Sequence, residues 1–406
     1  MILNDSKIGV EKYRPLTKLK SCVAFSFLFL PLISDAQVYF NAKIFGPVTN
    51  IYSVDQQGKI EKTTENSAWR DREPSISNKG DVVFSSNREQ QVKVDLKRSS
   101  ENFNLYIKKN KTKEIKPLVV SKAQDILPRF NPQGTQVAYL KVISKNNVEL
   151  HSVDVSGEND TILVQANNIF DFSWSPNGKK IALSSIRGEM SYIQVVDVRE
   201  KNNEVLLKAT IPLENRDKTL PKGKVSKSND LFLIAPNWSP NGKHLAFIKH
   251  PATADKSKAL YILDLASLKE RRISAEEVQV QAPVNWSADG KQLLYSGLVG
   301  YRYYYDESKR DRVYEGGMHI FVANVSEGGS HDKNIKQLTK GDHLHSYPVF
   351  SPDAKEIAFL YADKLGDVRT VALKKMKLNS QDKNIEAGEI EELYSSVARD
   401  SKIVWR

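Results

Sequence analysis

The chain has 406 residues, with 60 Lys and Arg against 49 Asp and Glu, a formal charge of +11 and a single cysteine. This composition excludes a disulfide-stapled small scaffold and an acidic disordered tail, and its 40% of hydrophobic residues is enough for a large core. A basic balance favours anionic partners such as acidic glycans, lipopolysaccharide, phospholipid head groups or nucleic acid.

Residues 1–36 read as a targeting segment rather than as fold. Lys12, Arg14, Lys18 and Lys20 form a basic leader, and an apolar run follows from Cys22 to Ile33. That run contains Pro31 and falls short of the ~20 residues a membrane-spanning helix needs. Ser34-Asp35-Ala36 places small residues at −3 and −1, so cleavage is expected before Gln37 and the location is expected to be periplasmic or secreted. Cleavage removes Cys22, the sole cysteine, and leaves a charge of about +9 with no thiol chemistry.

Residues 38–64 read as three strands: Val38 to Ile44, Asn50 to Asp55 and Lys59 to Thr64. A repeated hairpin then dominates the chain. Its best copy is Asp171-Phe172-Ser173-Trp174-Ser175-Pro176-Asn177-Gly178-Lys179-Lys180-Ile181-Ala182-Leu183. Phe172 and Trp174 alternate on one face of an extended segment, and Pro176 ends the ladder. Asn177-Gly178 permits the positive φ of a tight reversal, after which Ile181 and Leu183 restore the alternation. Further copies centre on Pro74-Ser75-Ile76, Pro128-Arg129-Phe130, Pro236-Asn237-Trp238, Val284-Asn285-Trp286 and Pro348-Val349-Phe350. Each is followed by a third apolar strand, such as Tyr192 to Asp197 or Leu260 to Asp264, and then by a fourth, such as Ile335 to Thr339.

Four short antiparallel strands per unit, at spacings of roughly 44 to 65 residues, predict an all-β chain folded as a β-propeller over residues 37–406. The segment Lys402-Ile403-Val404-Trp405-Arg406 supplies the innermost strand that residues 38–64 lack. The expected architecture is therefore seven four-stranded blades, one shared between the termini, with six blades as the alternative if the copy at Pro74 is degenerate.

The segments Trp-Ser-Pro-Asn-Gly-Lys (174–179), Phe-Ser-Pro-Asp (350–353) and Asn-Trp-Ser-Ala-Asp-Gly-Lys (285–291) resemble the repeats of the TolB-like β-propeller family. The same repeats occur in the propellers of prolyl oligopeptidase-like peptidases and of oligogalacturonate lyases. The resemblance covers essentially all of residues 37–406 and implies the fold without choosing an activity. TolB carries an α/β domain ahead of its propeller, and the peptidases add a hydrolase domain with a Gly-x-Ser-x-Gly elbow. Neither has a counterpart here, so a free-standing propeller is expected, acting as a monomer in the cell envelope.

The short repeat turns face one side of such a propeller, and the longer connections open on the other, where binding concentrates. Residues 300–317 interleave Tyr301, Tyr303, Tyr304, Tyr305 and Tyr314 with Arg302, Arg310 and Arg312. Tyr and Arg in this mixture stack on rings and pair with acidic groups, or else the segment is a long hairpin extension whose tyrosines pack on neighbouring loops. Residues 212–230 add Arg216, Lys218, Lys222, Lys224 and Lys227, and residues 87–102 add Arg88, Lys93, Lys97 and Arg98. Two hypotheses follow. In the first, a non-enzymatic scaffold without cofactor engages a protein or an anionic envelope polymer through this face, and nucleic acid is not expected. In the second, His343, His345, His250 and His319 hold a divalent metal for a lyase or hydrolase of acidic oligosaccharides. The resemblance to the lyases implies that second chemistry, in which the metal polarises a uronate for β-elimination.

Overall fold

The computed structural model describes residues 36–88, 102–212, 230–251, 257–308, 310–325, 334–366, 371–381 and 384–406. The leader, Lys222, Lys224 and residues 89–101 lie outside this set. Among the described residues there are 28 strands and no α-helix, and no helix is long and apolar enough to cross a membrane.

Sixteen of the strands form four separate four-stranded sheets with neighbours in sequence order, spanning Asp71–Ile76 to Ile115–Val119, Gln124–Phe130 to Thr161–Ala166, Asn168–Trp174 to Asn203–Thr210 and Leu231–Trp238 to Glu270–Arg272. The other twelve form one continuous ladder. Within it, three four-stranded runs are hydrogen-bonded to one another only at the single pairs Met318↔Leu344 and Ala42↔Val397. The last of these runs joins the chain ends, since Val38 pairs with Trp405 and Tyr39 with Val404. The Arg406 amide donates to the Gln37 carbonyl at 2.9 Å, and the Asn41 amide donates to Ser401 Oγ at 2.8 Å. The terminal strands thus pair as expected and leave no free end at the seam.

The repeat turn is built by its own side chains. Ser175 Oγ accepts from the Lys180 amide at 2.9 Å and donates to Asn177 Oδ1 at 2.8 Å, while that oxygen takes the Lys179 amide at 3.0 Å. Gly178 sits at φ +68, where an L side chain is strained, and a Cβ there would lie 2.1 Å from Gln133 Oε1 of the preceding turn. The same bonds recur at Ser239-Asn241, Ser287-Asp289 and Ser351-Asp353. Apolar alternation then buries both sheet faces between neighbours. One cluster joins Leu140 and Leu150 of one sheet to Phe172, Ile181 and Leu183 of the next. Two tryptophans stitch seams of this kind, Trp174 Nε1 donating to the Arg129 carbonyl at 3.0 Å and Trp286 Nε1 to the Asn237 carbonyl at 3.1 Å.

The first strands of six of the seven runs carry an irregularity that alternation does not foretell. Register shifts occur between Arg72 and Ser75, Ile126 and Arg129, Ile234 and Asn237, and Ser346 and Val349. At each of these the residue before proline takes a positive φ: Glu73 at 57, Leu127 at 58, Ala235 at 54 and Tyr347 at 56. A bulge of this kind re-aims a side chain, and here all four residues border one cavity of about 340 Å³. That cavity is lined from the first strands of seven runs, including the Lys402-Ile403-Val404 end.

Candidate binding face

The described residues of 300–317 form a hairpin arm. Gln292–Asp306 and Asp311–Asn324 pair from Gln292↔Asn324 out to Asp306↔Asp311. These strands are 15 and 14 residues long, about twice the length of their counterparts in the preceding run. The arm bends where the register shifts between Val299 and Arg302. Gly300 at φ +61 and Gly316 at φ +79 make the bend, and a Cβ on Gly316 would fall 2.5 Å from the Val299 carbonyl. At the tip, Asp306 Oδ1 accepts from the Ser308 amide at 2.9 Å and its hydroxyl at 2.6 Å.

Beyond the bend both faces of the ribbon are open to solvent. Tyr301, Tyr304, Tyr305 and Tyr314 keep 38%, 44%, 54% and 37% of their surface accessible. Tyr304 donates to Glu315 Oε1 at 3.0 Å. Tyr314 leans on the next run, since a Cβ on Gly366 would meet its ring at 2.8 Å. Arg302 and Arg310 are exposed. The backbones of Tyr303 and Arg312 pair with those of Tyr314 and Tyr305, so the arm gathers every aromatic and basic candidate of this segment.

At the arm's base three of the four candidate histidines come together. Ring centroids are 6.1 Å apart for His319 and His345 and 6.0 Å for His343 and His345. His345 is buried and its Nδ1 meets the Met318 carbonyl at 3.1 Å, while His343 Nδ1 meets the Asp363 carbonyl at 2.9 Å. Burial, and then His319, His343 and Lys374, push His345 down to about 4 against the pull of the Met318 bond, so its ring is neutral at pH 7. Burial likewise lowers His319, whose Nδ1 has no partner among the described residues. Gly317 and Gly341 make the room, because a Cβ on Gly317 would lie 2.5 Å from His319 Cε1 and one on Gly341 2.7 Å from His343 Cδ2. His250 does not join this group and packs instead on Phe232, at 5.9 Å. Among the described residues no three His, Cys, Asp or Glu side chains stand in a metal-holding arrangement, so the four-histidine set does not fit a metal as placed.

No family model matches the sequence. The chain is 24% identical over 281 residues to the Tol-Pal system protein TolB of Francisella tularensis subsp. mediasiatica, a match covering 65% of this chain and 58% of that relative. The chain is similar to the TolB-like β-propellers. Its fold also superposes on an oligogalacturonate lyase in complex with manganese, with a TM-score of 0.55, 13% identity, and 80% and 83% of the two chains covered. A puromycin hydrolase gives 0.58 at 12% identity, covering 90% of this chain and 53% of that one. The chain therefore shares its scaffold with proteins of several activities, and its own activity rests on its sites. The repeat pattern gave no hint of the axial cavity residues Glu73, Arg129, Asp171, Tyr347 and Lys402. The signal that locates Glu73 and Tyr347 is a residue before proline in the middle of a first strand.

Proposed function

We propose that this TolB-like propeller is an exported, non-enzymatic scaffold of the bacterial cell envelope that engages a protein or an anionic polymer through the face carrying the arm. We read its architecture as seven blades closed by the paired termini, a count supported by the seven first strands around the axial cavity. The observation that carries the reading is the arm itself. A two-stranded ribbon with both faces in water is marginal on its own, and this one displays four tyrosines beside arginines, the side chains that dominate binding hot spots. A protein partner is favoured by the likeness to TolB, whose name places it in the Tol-Pal system. Removal of residues 1–36 before Gln37 belongs to the same proposal. The test is an array of envelope proteins and acidic polymers probed with the wild-type chain and with Arg302, Arg310 and Arg312 changed together to Ser. Loss of one partner at unchanged melting temperature supports the reading, and equal binding by both proteins refutes it.

A second reading, a metal-dependent lyase or hydrolase of acidic oligosaccharides, is favoured by the meeting of His319, His343 and His345. The three rings as placed are not a metal ligand set. Elemental analysis decides: near-stoichiometric manganese, calcium or zinc that disappears on His343→Ala with His345→Ala would favour this reading over the first.

A further inference from the structure

The axial cavity holds five charged or phenolic groups that the arm does not use. The two carboxylates there are already occupied by protein donors. Glu73 Oε2 accepts from the Leu127 amide at 2.8 Å and from the Ser85 hydroxyl at 2.6 Å. Asp171 Oδ1 accepts from Arg129 Nη2 at 2.6 Å and from the Phe172 amide at 2.9 Å. The donors are less well supplied. Lys402 Nζ is 3.9 Å from Glu73 Oε1, beyond hydrogen-bond range, and has no closer acceptor among the described residues. The Tyr347 hydroxyl likewise has no hydrogen-bond partner among the described residues, and Arg129 spends one N–H on Asp171. All three side chains border the same cavity, and the positive φ before Pro348 is what turns Tyr347 into it.

We propose that the axial cavity is a binding site for a carboxylate group, held by the Lys402 ammonium, the Arg129 guanidinium and the Tyr347 hydroxyl. A cavity of about 340 Å³ lies at the small end of ligand sites, so it admits a compact acid or the tip of a chain rather than a folded surface. An incoming carboxylate accepts the unused N–H and O–H donors and lies between two cations that repel one another. Burial lowers the Lys402 ammonium, Glu73 raises it and Arg129 lowers it further, which is the strain a bound anion relieves. Glu73 and Asp171 then orient the two cations instead of competing for the ligand.

A free small acid and the acidic end of a polypeptide share this chemistry. The test therefore titrates the whole chain with succinate and, separately, with an acetylated pentapeptide ending in aspartate, by calorimetry at low ionic strength. The expected result is one site per chain for at least one probe, and the stronger of the two names the source. Lys402→Met should weaken it at least about tenfold, and Lys402→Arg should keep most of the affinity. Because Lys402→Met leaves Glu73 without its counter-ion, the double change Lys402→Met with Glu73→Gln serves as the folded control and should also lose binding. Tyr347→Phe should weaken binding several-fold with the fold intact. Failure of the wild-type chain to bind either probe at millimolar concentration would overturn the proposal. So would unaltered affinity in Tyr347→Phe and the double variant. Arm variants leave this titration unchanged, which separates it from the test of the binding face.

Discussion

Changing Glu73 to Gln tests whether the axial charges hold the ring together. The substitution preserves shape but removes the negative charge facing Lys402 and Arg72. Burial by itself raises the Glu73 carboxyl, yet Lys402, Arg72, the Ser85 hydroxyl and the Leu127 amide together hold it below its ordinary value. In the variant the amide oxygen can take the place of Oε2 and keep both hydrogen bonds, but these no longer go to a charged acceptor, and the Lys402 ammonium loses its charged partner. Hydrogen bonds to a charged group contribute about 1.5–3 kcal/mol each, and a stranded buried charge adds to that, so the expected loss is about 3 kcal/mol. With an unfolding entropy near 2.1 cal/mol/K per residue, a chain of this size should melt about 4 °C lower at pH 7. The pH dependence has a definite sign. A carboxylate whose folded pKa is depressed contributes stability above its unfolded value, and that contribution is lost as pH falls through the folded one. The gap between wild type and Glu73→Gln, followed by urea unfolding, should therefore be widest at neutral pH and close below about pH 4. A variant melting within about 1 °C of wild type at pH 7 would refute the reasoning.

Three other outcomes follow from single positions. Asp125 is buried, its Oδ1 has no hydrogen bond and lies 3.8 Å from Lys141 Nζ, and burial, opposed by Ser121 and Lys141, raises its carboxyl to about 6. An acid raised on folding costs stability as pH climbs past its ordinary value, so Asp125→Asn should stabilise the chain by about 2 kcal/mol at pH 7 and by little at pH 4 in urea titrations. Ala354 occupies the glycine position of its repeat turn at φ 56, so Ala354→Gly should raise stability by about 0.5–1 kcal/mol, read as a higher thermal midpoint. Gly316→Ala should cost about 1–2 kcal/mol by thermal melt through its positive φ and its collision with the Val299 carbonyl, and it should also misdirect the arm.

The hairpins were legible because each packs its instructions into a dozen residues. Trp174, Ser175, Asn177 and Gly178 specify strand end, cap and reversal with no help from the rest of the chain. The terminal pairing was legible for the complementary reason, that Val404 and Trp405 alternate like a first strand with nothing following them. The bulges at Glu73 and Tyr347 were not, since a proline inside a strand announces a break in pairing but not the left-handed turn before it. The long outer hairpin of Val371–Gln381 and Asn384–Val397 was also missed. Its Lys and Glu residues lack a clean alternation because three register shifts interrupt the ladder, and pairs such as Lys375–Glu391, at 3.1 Å, form only once it is folded. At the candidate site, Tyr301 to Tyr305 announced an aromatic segment, but its bend depends on Gly300 meeting Gly316 across the hairpin. His343-Leu344-His345 was visible, whereas the approach of His319 needs Gly317 and Gly341 back to back. His250 packs on Phe232 instead, since residue type alone does not fix distance.

The arm is the centre of this account, and its most direct test is an affinity measured with and without it. Residues 301–315 would be replaced by a short Gly-Ser turn joining the two strands below the bend, and the purified protein titrated against the partner found on the array. Loss of several tyrosine and arginine contacts, with hot-spot contributions of about 2 kcal/mol each, predicts at least about a hundredfold weaker binding while the melting temperature holds. Equal affinity for the armless chain, folded and intact, would contradict the claim that this ribbon is the docking element.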